Sequence, residues 1–371
     1  MKKILTVIAT LCMVAGALHA QELANFQRGG GRVVSPEIQN DSVTFRLKAD
    51  YATIVRLSTS WSRPVDMVRG ANNVWEAKLP CPRPEIYTYN FIVDGVSVND
   101  PQNILVQRDG TRFLSMVIVP GERSENYKEA NHRGTVSHPW YDSKILGINR
   151  RLTVYTPYGY ESNPKKKYPV LYLLHGAGGD EEAWSSMGRA AQILDNLIEK
   201  GLAEPMIVVM PNGNPGQQAA ATLNLPTKQA TGQNAYVNSL VKEIVPFIDK
   251  EYRTIAKADG RAIAGLSMGG GHTTSATILY PGVFNYICPL SCGIRESDQL
   301  DADLQGIKKA GYKLYWIGVG KEDNMAYQGS LVLDKHLTDN GMQHTLFVSD
   351  DAHVWKNWRL YLNTFAQLLF K

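Results

Sequence analysis

The chain has 371 residues, 44% of them hydrophobic and 20% charged, with a formal net charge of +4. This is the balance of an ordinary globular protein long enough for two domains, and it excludes a disordered or fibrous chain. No dense basic stripe interleaves with aromatics, so nucleic acid is not an expected partner.

At the N-terminus, Lys2-Lys3 precede an apolar run from Ile4 to Leu18, and Ala17-Leu18-His19-Ala20 ends in a small residue. This pattern predicts a Sec-type signal peptide over residues 1–20, too short and wrongly flanked for a membrane span. A periplasmic or secreted protein is expected, with no membrane attachment once the peptide is cleaved. Cys12 sits inside the apolar run behind Leu11, where a lipoprotein anchor would call for a small residue. Cleavage removes Lys2 and Lys3 and lowers the formal charge from +4 to +2. It leaves Cys81, Cys288 and Cys292, an odd number. Cys288 and Cys292 are four apart around a strand, about 13 Å at ~3.3 Å per residue, beyond disulfide reach. All three are expected to be unbridged.

Residues 24–120 read as a small β-sandwich. Val43, Phe45 and Leu47 alternate with polar partners, as do Tyr87, Tyr89, Phe91 and Val93, and Asp94-Gly95 makes a hairpin turn into Val96-Ser97-Val98. Trp61, Trp75 and several tyrosines invite a carbohydrate-binding reading, but alternating aromatics equally form the core between two sheets, and that reading is preferred. Residues 121–136, polar and charged, suit a linker.

From 137 to 371 the texture changes to alternating strands and helices. Strands are expected at 151–155, 169–174, 206–210, 261–265, 286–290, 313–318 and 345–348. Helices are expected at 183–200, 235–251, 269–280, 304–310, 330–340 and 354–369, with Pro246 placed to kink the second. Repeated strand–helix units with continuous apolar strands indicate a mostly parallel sheet covered on both faces, an α/β fold. Lys165-Lys166-Lys167 falls in a loop and reads as a solvated connection.

Gly265-Leu266-Ser267-Met268-Gly269 carries the chemistry. A G-x-S-x-G between a strand and a helix reads as a nucleophile elbow, with the serine hydroxyl raised at a helix N-terminus where developing negative charge is favoured. Such a serine needs a base, and the base an orienting acid; on this kind of sheet the order is nucleophile, acid, base. The strand ending at Gly318 runs into Lys321-Glu322-Asp323, and the next runs into Asp350-Asp351-Ala352-His353. Asp323 is the expected acid, with Glu322, Asp350 and Asp351 as neighbouring alternatives, and His353 the expected base. His272, on the elbow's own helix, is expected to face away from the serine. Oxyanion donors are expected at the Met268 N–H and, from His175-Gly176-Ala177-Gly178-Gly179, at the Ala177 N–H. Trp184 and Trp355 are candidates to contact substrate. The chain lacks G-x-x-x-x-G-K-[ST], a spaced G-x-G-x-x-G and H-E-x-x-H, so no nucleotide, cofactor or catalytic metal is implied.

Together, His175-Gly176-Ala177-Gly178-Gly179 with Trp184, Met210-Pro211-Asn212-Gly213, Arg261 to Gly270 and His353-Val354-Trp355 resemble the esterase D-type family. Within it the chain most resembles carbohydrate esterase family one: feruloyl and acetylxylan esterases, some with an N-terminal immunoglobulin-like early-set module. The resemblance implies an α/β-hydrolase domain behind an immunoglobulin-like β-sandwich. It also implies a serine esterase acting on ester-substituted plant polysaccharide or oligosaccharide through Ser267, Asp323, His353, Ala177 and Met268. Two departures stand out. Asp350-Asp351-Ala352 precede the histidine where glycines are frequent, and added negative charge favours imidazolium; Cys292 replaces the usual glycine or serine. Two alternatives remain: an enterochelin esterase-like hydrolase of a siderophore lactone, and a non-catalytic glycan-binding protein on a hydrolase scaffold.

Overall fold

The computed structural model describes residues 33–220 and 234–371. The expected signal peptide, with Cys12 and His19, lies outside the described residues, as does the start of the expected sandwich. No helix among the described residues is long and apolar enough to cross a membrane.

The N-terminal strands are β1 (Glu37–Gln39), β2 (Ser42–Lys48), β3 (Val55–Thr59), β4 (Val65–Asp66), β5 (Val68–Arg69), β6 (Val74–Pro80), β7 (Glu85–Val93), β8 (Val96–Val98), β9 (Val106–Asp109) and β10 (Arg112–Val119). They form two antiparallel sheets, ordered β1-β2-β6-β5 and β4-β3-β7-β10-β9, with β8 added to β7. The period-two pattern sends Val43, Phe45 and Leu47 of β2 and Tyr89 and Phe91 of β7 into one core between the sheets. Asp94 and Gly95 adopt φ of 48° and 90°, which a two-residue hairpin of this hand requires. Trp75 is in that core, its Nε1 donating to the Ala49 carbonyl at 3.2 Å, and Trp61 packs against Tyr87 with ring centroids 5.1 Å apart. Trp75 is thus a core residue, and Trp61 is partly buried against that core.

The expected linker is a correction. Residues Glu122–Tyr127 form a 3-10 turn in which Ser124 and Tyr127 are buried, and Thr135–Ser137 is a strand, β11, of the second domain. Tyr127 accounts for this: it enters the core that holds Trp184 and Tyr155, and its carbonyl accepts from Arg189 Nε and NH2 at 3.1 and 3.0 Å. Burying one aromatic ring contributes about 2–3 kcal/mol, enough to dock a short connection.

The second domain continues with β12 (Trp140–Ser143), β13 (Ile148–Thr156), β14 (Val170–Leu174), β15 (Ile207–Pro211), β16 (Arg261–Leu266), β17 (Tyr286–Leu290), β18 (Leu314–Gly320) and β19 (Thr345–Ser349). The sheet order is β11-β13-β15-β14-β16-β17-β18-β19, with β12 on β13. From β15 to β19 all neighbours are parallel, whereas β11, β12 and β13 pair antiparallel. All five residues of β14, β15 and β17 are buried, as strands covered by helices on both faces must be. This is the α/β-hydrolase fold.

The helices are α1 (Ala183–Ser186), α2 (Ala190–Glu199), α3 (Ala235–Ser239), α4 (Val245–Glu251), α5 (Met268–Leu279), α6 (Leu300–Ala310), α7 (Tyr327–Asp339) and α8 (Trp355–Phe365). The single helix expected at 183–200 is broken because Arg189 takes a left-handed φ of 53°. Between α3 and α4 a π-turn spans Leu240–Ile244. Pro246 lacks an N–H to close an α-turn, and the wider turn accommodates it without ending the helix.

The two domains are fused through paired charges. Glu85 of β7 accepts from Arg359 of α8 at 3.0 Å, with both side chains no more than 4% exposed. Arg108 of β9 forks onto Asp180 at 2.6 and 2.8 Å and reaches Glu182 at 3.1 Å. Ile86, Met116 and Tyr127 share a core with Trp184, Trp358 and Phe365 of the second domain.

Candidate active site

The elbow forms because β16 ends at Leu266 and α5 begins at Met268, leaving one residue to reverse the chain. Ser267 takes φ 52° and ψ −114°, a conformation costing an L-residue about 1–3 kcal/mol. Its neighbours force this turn. A Cβ on Gly265 would lie 2.3 Å from the Gly269 carbonyl oxygen, and one on Gly269 would lie 2.6 Å from the His175 carbonyl oxygen. The Ser267 N–H donates to Leu290 of β17 at 2.9 Å, and its carbonyl accepts the first helical bond from Gly271 at 3.0 Å. The hydroxyl therefore stands at the parallel sheet's C-terminal edge, over a helix N-terminus.

The expected acid and base follow β18 and β19. Asp323, after β18, is fully buried, and its Oδ1 accepts from the N–H groups of Met325 and Ala326 at 3.2 and 3.1 Å. Its Oδ2 lies 2.8 Å from His353 Nδ1. A carboxylate only accepts, so the proton is on Nδ1 and the Nε2 lone pair is left for a hydroxyl. The imidazole packs edge-on against Trp358, centroids 5.0 Å apart. The alternative acids have partners of their own: Asp350 pairs with Lys321 at 2.6 Å and Asp351 with Lys356 at 2.5 Å. The structure thus joins Asp323 to His353 directly.

Ser267 and His353 line one cavity of about 340 Å³, with Gly176, Ala177, Gly178 and Gly179 on one side and Trp355 and Trp358 on another. Neither Ser267 Oγ nor His353 Nε2 is hydrogen-bonded among the described residues, an open arrangement common before substrate tightens a site. The Ala177 N–H likewise has no partner there, and the Met268 N–H, in the first helical turn, has no intrahelical acceptor. Both amides are available to a developing oxyanion.

Of the two expected substrate-contacting tryptophans, Trp355 lines the cavity and Trp184 does not. Trp184 is 1% exposed, donates from Nε1 to the Leu174 carbonyl at 2.9 Å, and stands edge-on beneath Trp355 at 5.3 Å. It supports the wall because α1 turns its ring back onto the end of β14. Trp358 was not anticipated. It sits one helical turn beyond Trp355, a spacing that places both on one face, and its Nε1 donates to Ser291 Oγ at 3.0 Å. Asp109 also lines the cavity, from the last position of β9 in the sandwich. No local sequence signal points to it, because only domain docking brings it there.

His175 and His272 are neighbours of the site with different work. His175 Nε2 accepts from the Gly213 N–H at 2.7 Å, tying the glycine-rich loop to the loop after β15. Burial holds its pKa below the ordinary value. His272 does not line the cavity; it packs on Tyr236, centroids 4.6 Å apart. Burial, and then the nearby His175, push its pKa down to about 4. Cys292 is buried against the elbow helix, where a Cβ on Gly270 would meet its own Cβ at 2.3 Å, and burial pushes its thiol up to about 12. Cys81, Cys288 and Cys292 are unbridged. Among the described residues no group of three His, Cys, Asp or Glu side chains could hold a metal.

This arrangement can attack a carbonyl carbon, hold the resulting oxyanion and return a proton to the leaving oxygen. Comparison with known proteins agrees. The family model described as "Putative esterase" matches residues 143–367. An endo-1,4-beta-xylanase/feruloyl esterase of Xylanibacter ruminicola is 31% identical over 350 residues, covering 92% of this chain but 44% of that longer protein. A solved ferulic acid esterase is 26% identical with a TM-score of 0.55, covering 64% of this chain and 98% of that one. The enterobactin esterase FES from Shigella flexneri, 17% identical with a TM-score of 0.62, covers 91% of this chain and 96% of its own, a likeness of fold across both domains. The chain belongs to the "Putative esterase" family, and it is an esterase of α/β-hydrolase fold.

Proposed function

We propose that the chain is an exported serine esterase that removes feruloyl groups from a xylan-type polysaccharide. One observation carries the reading: Ser267 and the Asp323-anchored His353 share a cavity walled by Trp355 and Trp358. Two indole faces suit a flat aromatic acyl group better than a bare acetyl group, since aromatic pairs add about 0.5–1.5 kcal/mol beyond area burial. The relatives named above as feruloyl or ferulic acid esterases support the same substrate class.

His353 Nε2 takes the Ser267 proton as Oγ bonds to the ester carbonyl carbon. The Ala177 and Met268 amides hold the oxyanion. The carbon–oxygen bond to the sugar breaks, and His353 returns the proton to the sugar hydroxyl that leaves. Water, deprotonated by the same imidazole, then releases ferulic acid and restores Ser267. Export rests on the signal peptide read at residues 1–20.

The test is an ester panel on purified protein: methyl ferulate, p-nitrophenyl acetate, acetylated xylan and a catecholate trilactone. Methyl ferulate should be the preferred small ester, and Ser267→Ala should lower kcat by about 10⁴-fold or more. Preference for the trilactone would replace the substrate assignment, and full activity in the alanine variant would end the mechanism.

A further inference from the structure

In the sandwich Trp75 is buried and Trp61 partly buried, whereas one tryptophan stands exposed on the hydrolase domain. Trp140 begins β12 at the sheet's margin and is 42% exposed, although its backbone is fixed by pairing with Arg151 of β13. It borders an open cavity of about 630 Å³ that also carries Glu161, Phe247, Glu251, Tyr252 and Arg253. None of these residues lines the catalytic cavity.

The chemistry of this cavity is that of a polyol site. Trp140, Phe247 and Tyr252 offer partly exposed rings, which stack on the C–H faces of pyranose rings. Glu161 and Glu251 offer four carboxylate oxygens to hydroxyl donors; Glu161 is exposed and forms no ion pair among the described residues, while Glu251 pairs with surface Lys250 at 2.9 Å. Arg253 is preset: its guanidinium lies 3.7 Å from the Tyr160 ring centroid, and its backbone N–H donates to the Tyr160 hydroxyl at 3.0 Å. NH2 is bonded to the Tyr160 carbonyl, and NH1 has no bond among the described residues. Such a rigid donor loses little entropy when a hydroxyl engages it. Two carboxylates against one guanidinium disfavour an anionic polymer, and a rim this charged is a poor centre for a protein interface.

Position separates the two cavities. Thr254 bridges Tyr168 just before β14 begins, so Arg253 and Glu251 lie at the sheet's N-terminal edge, whereas Ser267 follows the C-terminal end of β16. We propose that the Trp140 cavity is a second, non-catalytic site for a neutral β-linked pyranose chain, which holds polysaccharide while the separate Ser267 cavity cleaves its esters. The choice of a xylan chain rests on the proposed function; the site as a neutral-glycan site does not.

The full chain is titrated calorimetrically with xylohexaose and cellohexaose, then the Trp140→Ala and Glu161→Ala variants, with methyl ferulate hydrolysis followed in parallel. Trp140→Ala should weaken oligosaccharide binding at least ~10-fold, the loss of one ring stack, while methyl ferulate turnover stays unchanged and shows the fold intact. Release from feruloylated insoluble xylan should fall with it, and Glu161→Ala should weaken binding less. Absence of binding to both oligosaccharides, or equal affinity in Trp140→Ala, overturns the site. So does a dimer of the parent chain dispersed by Trp140→Ala, which would make the surface a contact between copies. Binding that survives alongside a failed ester panel leaves this site standing and removes only the substrate reading.

Discussion

The two domains spend backbone strain in different places. In the sandwich, the non-glycine residues with left-handed φ are Asn40, Asn72, Asn73 and Asp94, all at turns and all of types that tolerate that region. In the hydrolase, besides Arg189, Asn234 and Phe370, positive φ falls at Ser267 (52°), Ser291 (43°) and Asp351 (70°), which follow β16, β17 and β19 around the catalytic cavity. Ser291 accepts from the Trp358 indole that forms a cavity wall, and the Asp351 carbonyl accepts from Glu322 beside the buried acid at 3.1 Å. Turn residues in the sandwich let the chain reverse at little cost; the serines hold side chains where an unstrained backbone would not put them. The surrounding structure over-determines those positions, which is why the strain persists.

Breaking the hydrolase side of this contrast should have the largest effects. Asp323→Asn keeps the shape of the acid but loses the acceptor that fixes the His353 tautomer. A fall in kcat of about 10³–10⁴-fold is expected, with KM little changed, measured by steady-state kinetics on methyl ferulate. Arg359→Met leaves Glu85 buried with only the more exposed Arg123 as cationic partner among the described residues. It should destabilise the chain by about 3–5 kcal/mol in denaturant unfolding, and because the pair joins the domains, both should unfold together.

Acid tests the same asymmetry. The sandwich has no histidine between residues 33 and 120, whereas the hydrolase buries His175 and partly buries His272, and desolvation lowers the pKa of both rings. The folded pKa of His272, about 4, lies below the ordinary 6.5. As pH falls through 6.5 the unfolded chain takes the proton first, so stability is complete above that value and declines until about 4. The loss is on the order of 3 kcal/mol. Thermal unfolding between pH 7 and 4 should show it, and His272→Leu should flatten the curve. A profile unchanged by the substitution would show that His272 is not the group responsible.

The smallest effect sharpens the comparison most. Ser267→Gly removes the hydroxyl and relieves the elbow together, so it should abolish hydrolysis while raising stability by about 1 kcal/mol; Ser267→Ala should abolish hydrolysis without that gain. Asn40→Gly in the sandwich should shift stability by no more than a few tenths of a kcal/mol, because asparagine already tolerates that φ. Equal gains at the two positions would erase the distinction.

Much of this molecule was legible in the chain. The parallel strands were placed within a few residues because a buried strand must be apolar at every position. The turn at Ser267 and the meeting of Asp323 with His353 were legible because each residue follows a strand, and the fold carries strand ends to one rim. Cys81, Cys288 and Cys292 read correctly as unbridged from spacing and count. The misses share one cause. Residues 121–136 look like a linker by composition, yet Tyr127 docks; helix 183–200 is continuous by periodicity, yet Arg189 turns left-handed to reach Tyr127. Trp184 and Trp355 have the same side chain, and only packing makes one a support and the other a wall.

Local pattern, then, determined the secondary elements, the placing of Ser267, Asp323 and His353 after successive strands, and the turn that lifts Ser267, since these depend on steric and periodic rules that act over a few residues. Tertiary structure alone decided that Asp109 of the sandwich closes the catalytic cavity, that Asp350 and Asp351 spend their charge on Lys321 and Lys356, and that Trp140 stays exposed while Trp75 does not. Those outcomes depend on which surfaces meet after folding, and no short stretch of chain encodes its distant neighbours.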